Sequence, residues 1–220
     1  PDAVPQYEPW SKSVNPESYQ VLGETYHVLP TNKSFSQQGI ASWYGTKFHQ
    51  KKTATGELYD MWQMTAAHKT LPIPSYVRVT SLNNQRSVVV RVNDRGPFHE
   101  HRIIDLSYAA AVRLGLDKQG TGFVEVVAVQ PNELQTESHA AEAKKVYLQI
   151  GAFGRADNAL KLQQKVAQLR LTTSRIITTK TVDTLLYKVQ VGPISSVSDA
   201  DTIIEQLKKI GIHNSQFLSD

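Results

Sequence analysis

Four side chains in the first half of the chain, Glu57, Asp60, His68 and Asp94, are of the types that move protons at neutral pH. Glu57 and Asp60 lie three residues apart in TATGELYD, residues 53–60, a stretch with few apolar side chains. In a strand they would point to opposite faces, whereas in a turn or short helix they share one. Thr53, Thr55 and Gly56 favour a turning backbone, so the pair is free to converge, as are many surface acids. Asp94 closes the apolar run VVVRVND and precedes Arg95-Gly96-Pro97, a turn signal, which puts a carboxylate at the rigid end of a strand. Burial there raises a carboxyl pKa and a neighbouring Arg95 lowers it. Asp105 in IIDLS ends the next strand and could instead cap the helix that follows. By residue type alone, Asp94–Arg95 reads also as an ion pair closing a turn, and His68 as a hydrogen-bonded histidine of the fold.

Other chemistries find little support. There is no cysteine, which excludes disulfides, thiolate metal sites and a cysteine nucleophile. His68, His99 and His101 show no i,i+4 helical ligand spacing, so no metal is expected. The serines sit in no nucleophile-elbow pattern, and nothing resembles a phosphate loop; no cofactor is expected. A net charge of +4 with a pI near 9.2 makes the protein mildly basic. Its lysines and arginines are dispersed rather than clustered, which argues against a nucleic-acid partner.

The elements that must position these residues differ along the chain. Residues 1–38 hold five of the ten prolines and little periodicity, and read as an extended arm, poorly packed in parts. The first twenty, PDAVPQYEPWSKSVNPESYQ, have no basic stretch followed by an apolar one and do not read as a signal peptide. Residues 39–129 carry short strands broken by turns: Ile40–Tyr44, Tyr76–Leu82, Ser87–Asn93, Ile103–Leu106 and Phe123–Val129. One helix is expected in SYAAAVRLGL, with Ser107 as N-cap and an end near Gly115. Many short strands with one small helix predict an all-β barrel. Residues 130–145, QPNELQTESHAAEAKK, have no core face and read as a linker.

Residues 146–220 contain an internal repeat. A shift of 41 residues lays VYLQIG (146–151) on YKVQVG (187–192), Gln149 on Gln190 and Gly151 on Gly192. It also lays Ala159, Leu162, Val166 and Leu169 on Ala200, Ile203, Leu207 and Ile210, the spacing of one apolar helix face. Two β-α-β halves predict a small α+β domain of the ferredoxin or RNP type, four strands with two helices on one face. The same arrangement is used by RNA-binding modules, but the central strands lack paired exposed aromatics.

GIASWYG, KKTATGELYDMWQMTAAHKTLP, VVVRVNDRGPF and RIIDLSYAAAVRLG together resemble the rare lipoprotein A family, from about Gly39 to Val129. That resemblance implies a double-psi β-barrel. The C-terminal repeat, with its LQIGAF and YKVQVGP strands, is similar to a SPOR domain, which implies binding of peptidoglycan glycan strands stripped of stem peptides, at division septa. The implied chemistry is lytic transglycosylation, cleavage of the MurNAc–GlcNAc bond without water. An acid protonates the leaving oxygen, a base takes the proton of the C6 hydroxyl, and a 1,6-anhydro ring closes. The family's motif then makes Glu57, Asp60, His68 and Asp94 the site, with Asp94 as acid/base, Glu57 and Asp60 sharing or tuning the proton, and His68 orienting a carboxylate. In the SPOR-like domain it implies glycan contacts at Gln149, Tyr187, Lys188 and Gln190, near Gly151, Ala152 and Phe153. Alternation puts Gln149 and Gln190 on one face and Leu148, Ile150, Val189 and Val191 toward the helices. The family also implies a monomeric periplasmic lipoprotein of the outer membrane, anchored through a lipid-bearing cysteine that this sequence does not contain. One departure stands out: relatives often carry Gly-Arg-Lys where this chain has Gln50-Lys51-Lys52, in the loop that presents Glu57. The alternative to catalysis is a barrel that only binds peptidoglycan.

Overall fold

A computed structural model describes residues 1–10, 12–131, 143–180 and 184–220. Most of the stretch read as a linker, residues 132–142, lies outside the described residues. The chain forms two units, Pro1–Ala143 and Lys144–Asp220.

The first unit opens with a hairpin, β1 (Ser18–Val21) and β2 (Glu24–His27), turning at Leu22 and Gly23, both with positive φ, as a two-residue hairpin turn requires. The barrel follows: β3 (Ser36–Trp43), β4 (Thr65–His68), β5 (Ser75–Ser81), β6 (Ser87–Asp94), β7 (Arg102–Leu106) and β8 (Thr121–Ala128). These six strands close in the order β3-β7-β4-β6-β5-β8, with parallel pairs β3–β7 and β4–β6, and form the double-psi β-barrel the motifs imply. Strand β4 is absent from the sequence reading because TAAH is short, Ala-rich and without alternation. Inside, Val77, Val79, Val90, Val92, Ile104, Leu106, Val124 and Val126 are buried, each contributing on the order of 1.5–3 kcal/mol by leaving water.

Helix α1 (Tyr108–Leu114) adds Ala110, Ala111 and Leu114 to this core. Ser107 caps it, its side chain accepting from the Ala110 N–H, and Gly115 ends it in the left-handed conformation. Asp105 is therefore not the cap. The arm is tied to the barrel: the Ala3 N–H donates to the Val89 carbonyl at 3.0 Å, and the Val89 N–H donates to Asp2 at 3.1 Å. Val89 is 3 % exposed, although its neighbours Val88 and Val90 face the core, because the arm covers the outer face of β6.

The second unit contains β9 (Val146–Phe153), α2 (Ala156–Ala167), β10 (Ser174–Lys180), β11 (Leu185–Ile194), α3 (Val197–Lys209) and β12 (Gln216–Ser219). Its sheet has the order β10-β11-β9-β12, antiparallel throughout, as two β-α-β halves demand. The repeated apolar positions Ala159, Val166, Ala200, Ile203 and Leu207 are buried. The repeated glycines serve different ends: a Cβ at Gly151 would lie 2.9 Å from Leu162 of α2, whereas Gly192 takes a φ of +143° and a Cβ there would meet Tyr147 at 2.8 Å.

Candidate active site

Barrel closure brings the ends of three strands together. Ala67 of β4 pairs with Asp94 at the end of parallel β6 and with Asp105 at the end of antiparallel β7. The two acids thus flank one buried alanine. Tyr44 follows β3, its N–H donating to the Leu106 carbonyl at 2.9 Å, and its hydroxyl donates to Asp94 Oδ2 at 3.2 Å.

Asp94 Oδ1 accepts from the N–H groups of Ala54 and Arg95, each at 2.8 Å. Burial dominates, and its pKa lies above the ordinary carboxyl value despite these bonds and the Arg95 charge. Asp105 is raised as well, again by burial, although the Ser42 hydroxyl donates to it and Lys69, His99 and Arg102 act against the shift. Burial and both acids push the Tyr44 hydroxyl far up, so it stays a neutral donor.

Glu57 is different. The loop carrying it is a tight hairpin: Thr53 N–H donates to the Glu57 carbonyl at 2.8 Å, and Gly56 makes the turn at a φ of 86°. Its carboxylate accepts from Arg91 Nη1 at 2.8 Å, Arg91 Nη2 at 3.0 Å and Asn93 Nδ2 at 2.8 Å. Burial alone would raise its pKa, but the bonds from Arg91 and Asn93 outweigh that and hold it low, so Glu57 is ionised where Asp94 holds a proton more readily.

Asp60 and His68 take other roles than expected. Asp60 does not pair with Glu57; it caps its own turn, accepting from the Trp62 N–H at 3.0 Å, with His49 Nδ1 at 3.9 Å. The turn satisfies its own donor first, because an aspartate reaches the backbone two residues on without strain. His68 orients no carboxylate. Its Nδ1 accepts from the N–H groups of Thr70 and Leu71 at 3.2 and 3.1 Å, which leaves the proton on Nε2, an atom without a partner among the described residues. The ring is 2 % exposed, edge-on to Phe35 at 5.2 Å, and burial, then Arg95 and Lys69, takes its pKa down to about 3. The turn it orders carries the Leu71 carbonyl that accepts from Arg95, the neighbour of Asp94.

Sequence reasoning missed Tyr44, Arg91 and Asn93 as members of this cluster and left Asp105 with two roles. The available signal was symmetry: Asp94 and Asp105 both end strands, one before a turn and one before a capped helix. Aromatic rings cluster about Tyr44 and Tyr108. Tyr44 meets Phe48 at 5.7 Å and Tyr59 at 4.9 Å, and Trp62 packs against Tyr108 at 5.4 Å while staying 63 % exposed.

The same alternation can be checked in the second unit. Gln190 pairs with Gln149, Gln149 with Gln216, and Arg175 with Gln190, so four polar residues form one row across the sheet. Arg175 Nε donates to Gln190 Oε1 at 3.0 Å and its guanidinium stacks on Tyr147 at 3.5 Å. Lys188 and its partner Ala152 share this face with Gln190. Tyr187 does not. It pairs with Phe153, and both lie on the side of Gly151, which faces Leu162 of α2. A register shift between Val189 and Gln190 inserts Ile150 as an extra residue in β9, and such an insertion flips every side chain beyond it.

Residues 36–126 match a family model described as lytic transglycolase, and residues 142–218 match the SPOR domain. A relative from Vibrio cholerae, named endolytic peptidoglycan transglycosylase RlpA, is 42% identical over 219 residues, 99% of this chain and 81% of the relative. The chain belongs to the rare lipoprotein A (RlpA) family. A Neisseria meningitidis RlpA of the same name is 45% identical over 197 residues, 89% of this chain and 80% of its own length. Among solved structures, the SPOR domain of Pseudomonas aeruginosa RlpA covers 33% of this chain and 96% of its own, at 23% identity and a TM-score of 0.32. The RlpA match runs through both units of the chain, so the barrel site and the sheet face are two parts of one family architecture.

Proposed function

We propose that this chain is an endolytic peptidoglycan lytic transglycosylase. The observation that carries the reading is the setting of Asp94: it ends β6 beside Ala67, which also pairs with Asp105, and it accepts from Tyr44 and from Ala54 of the β3–β4 loop, the loop on which Arg91 holds Glu57 ionised. Burial raises Asp94 while Arg91 and Asn93 lower Glu57. Two carboxyl groups pushed in opposite directions are what acid–base chemistry at neutral pH requires. In the reaction, protonated Asp94 gives its proton to the glycosidic oxygen as the C1–O bond breaks. The Asp94 carboxylate then takes the proton of the C6 hydroxyl while the C1–O6 bond forms, so the acid returns to its starting state. No water is consumed. Tyr44, donating to Asp94, steadies the carboxylate between the two steps, and ionised Glu57 offers negative charge to the oxocarbenium-like centre. Asp105, raised and hydrogen-bonded by Ser42, is the second acid of the site.

The substrate in this reading is the stem-peptide-free glycan strand, gripped by the Gln149–Gln190 face of the SPOR domain, whose amides suit sugar hydroxyls and acetamido groups. The protein then works in the periplasm, as a monomer enriched at the division septum, and outer-membrane attachment would need a lipid-bearing cysteine, which this sequence does not contain. The test is direct: incubation with denuded glycan strands should release fragments with 1,6-anhydro ends by mass spectrometry. Absence of such ends with intact strand binding would favour the non-catalytic alternative.

A further inference from the structure

Arg91 emerges from the middle of β6, and two carboxylates from distant parts of the chain share its guanidinium. On one edge, Nε and Nη2 donate to Oε1 and Oε2 of Glu8 at 2.7 and 2.6 Å. On the other, Nη1 and Nη2 hold Glu57 as described above. The Tyr76 hydroxyl adds a third fixture, donating to Glu8 Oε1 at 2.7 Å.

Glu8 belongs to the N-terminal arm, outside the barrel. The arm is fastened on both sides of it, by Asp2 at Val89 and Arg113, and by Asn15, whose Oδ1 accepts from the Ile73 N–H at 2.7 Å. The same Asn15 Oδ1 accepts from Arg95 Nη2 at 2.8 Å, beside Asp94. One segment therefore anchors both arginines that neighbour the site's carboxylates.

We propose that Glu8 is a positioning residue of the active site, fixing the Arg91 guanidinium and through it the Glu57 carboxylate. This rests on the reading of Glu57 as a member of that site. A two-pronged arginine–carboxylate fork fixes direction as well as distance. With Glu8 removed, Arg91 keeps a single carboxylate, itself on an exposed loop, and the pair is free to swing toward water. Charge follows from the same geometry. Glu8 raises the proton affinity of Glu57 by its own negative charge, so it keeps Glu57 from becoming as weak a base as a private arginine would make it.

Two variants separate orientation from charge in the full chain. Glu8→Gln keeps an acceptor for Arg91 and loses the charge; a carbon-detected NMR titration of the Glu57 carboxyl should show its midpoint moving to lower pH. An unchanged or higher midpoint overturns the proposal. Glu8→Ala loses the anchor and should lower kcat for anhydro-product release by about tenfold with KM within about twofold, Glu8→Gln recovering part of the loss. Both are compared at native amide dispersion, so loss of folding is recognised directly. Unchanged kcat in Glu8→Ala beside an inactive Glu57→Gln overturns the role of Glu8 and leaves the site reading standing. Full turnover in Glu57→Gln overturns the site reading and this proposal together.

Discussion

Asp94 and Asp105 pair with the same residue, Ala67, from the strands on either side of it. With strands spaced about 4.8 Å apart, their backbones stand about 10 Å from each other; Tyr44 donates to Asp94 at 3.2 Å, and the charge of Asp105 also acts on its hydroxyl. Both carboxyl groups are raised, and neither has a private arginine that would ionise it outright. Asp94→Asn should lower anhydro-product release by about 10²- to 10⁴-fold, the range for loss of a general acid–base group, while strand binding persists in pull-down assays. A loss below tenfold would move the acid role to Asp105.

Ser42 donates to Asp105 and so favours its carboxylate form. Ser42→Ala should therefore raise the Asp105 pKa further, moving the midpoint of its carboxyl titration to higher pH. A downward shift would show that the hydroxyl accepts rather than donates.

His68 links the fold to pH. Its folded pKa of about 3 lies below the ordinary 6.5, so below pH 6.5 the unfolded chain binds a proton that the native barrel does not. The stability contributed by neutral His68 is complete above pH 6.5 and is lost as pH falls toward 3, at up to about 1.4 kcal/mol per pH unit. Urea unfolding of the barrel at pH 7 and pH 5 should show about 2 kcal/mol more loss in the parent than in His68→Gln. Equal losses would mean that the ring is solvated in the native state.

Gln50 occupies a φ of 63°, the left-handed region, and its N–H still donates to the Tyr59 carbonyl at 2.8 Å. The loop that presents Glu57 thus closes without the glycine that relatives often carry there, at the steric cost of a Cβ. Gln50→Gly should stabilise the barrel by up to about 1 kcal/mol, read as a raised unfolding midpoint, with little change in turnover. Destabilisation would show that the Gln50 side chain contributes more than its backbone costs.

In the second unit, the proposed glycan face requires that Gln149→Ala with Gln190→Ala weaken binding to denuded strands at least tenfold. Tyr187→Ala, on the helix side of the sheet, should leave binding within about twofold. The reverse ranking would place the glycan on the other face.

Much of this was legible in the sequence because it is local. The Ser107 cap, the Gly115 stop and the four strands of the C-terminal repeat each depend on residues a few positions apart, where spacing and geometry are the same thing. Asp94 was legible for that reason too, as the last residue of an apolar strand. The partners of the acids were not. Tyr44 lies fifty positions from Asp94, and Glu8 and Arg91 lie eighty-three apart; only closure of the barrel joins the first pair, and only the arm across β6 joins the second. Tyr187 shares the face of Val189 and Val191 by plain alternation along β11, and the extra residue in β9 only brings Phe153 to that same side. Residue order determined the strands, the helix caps, the repeat and the acids available for chemistry. Tertiary structure decided which carboxyl is pushed up and which is pushed down, since that depends on burial and on neighbours that sequence distance does not describe.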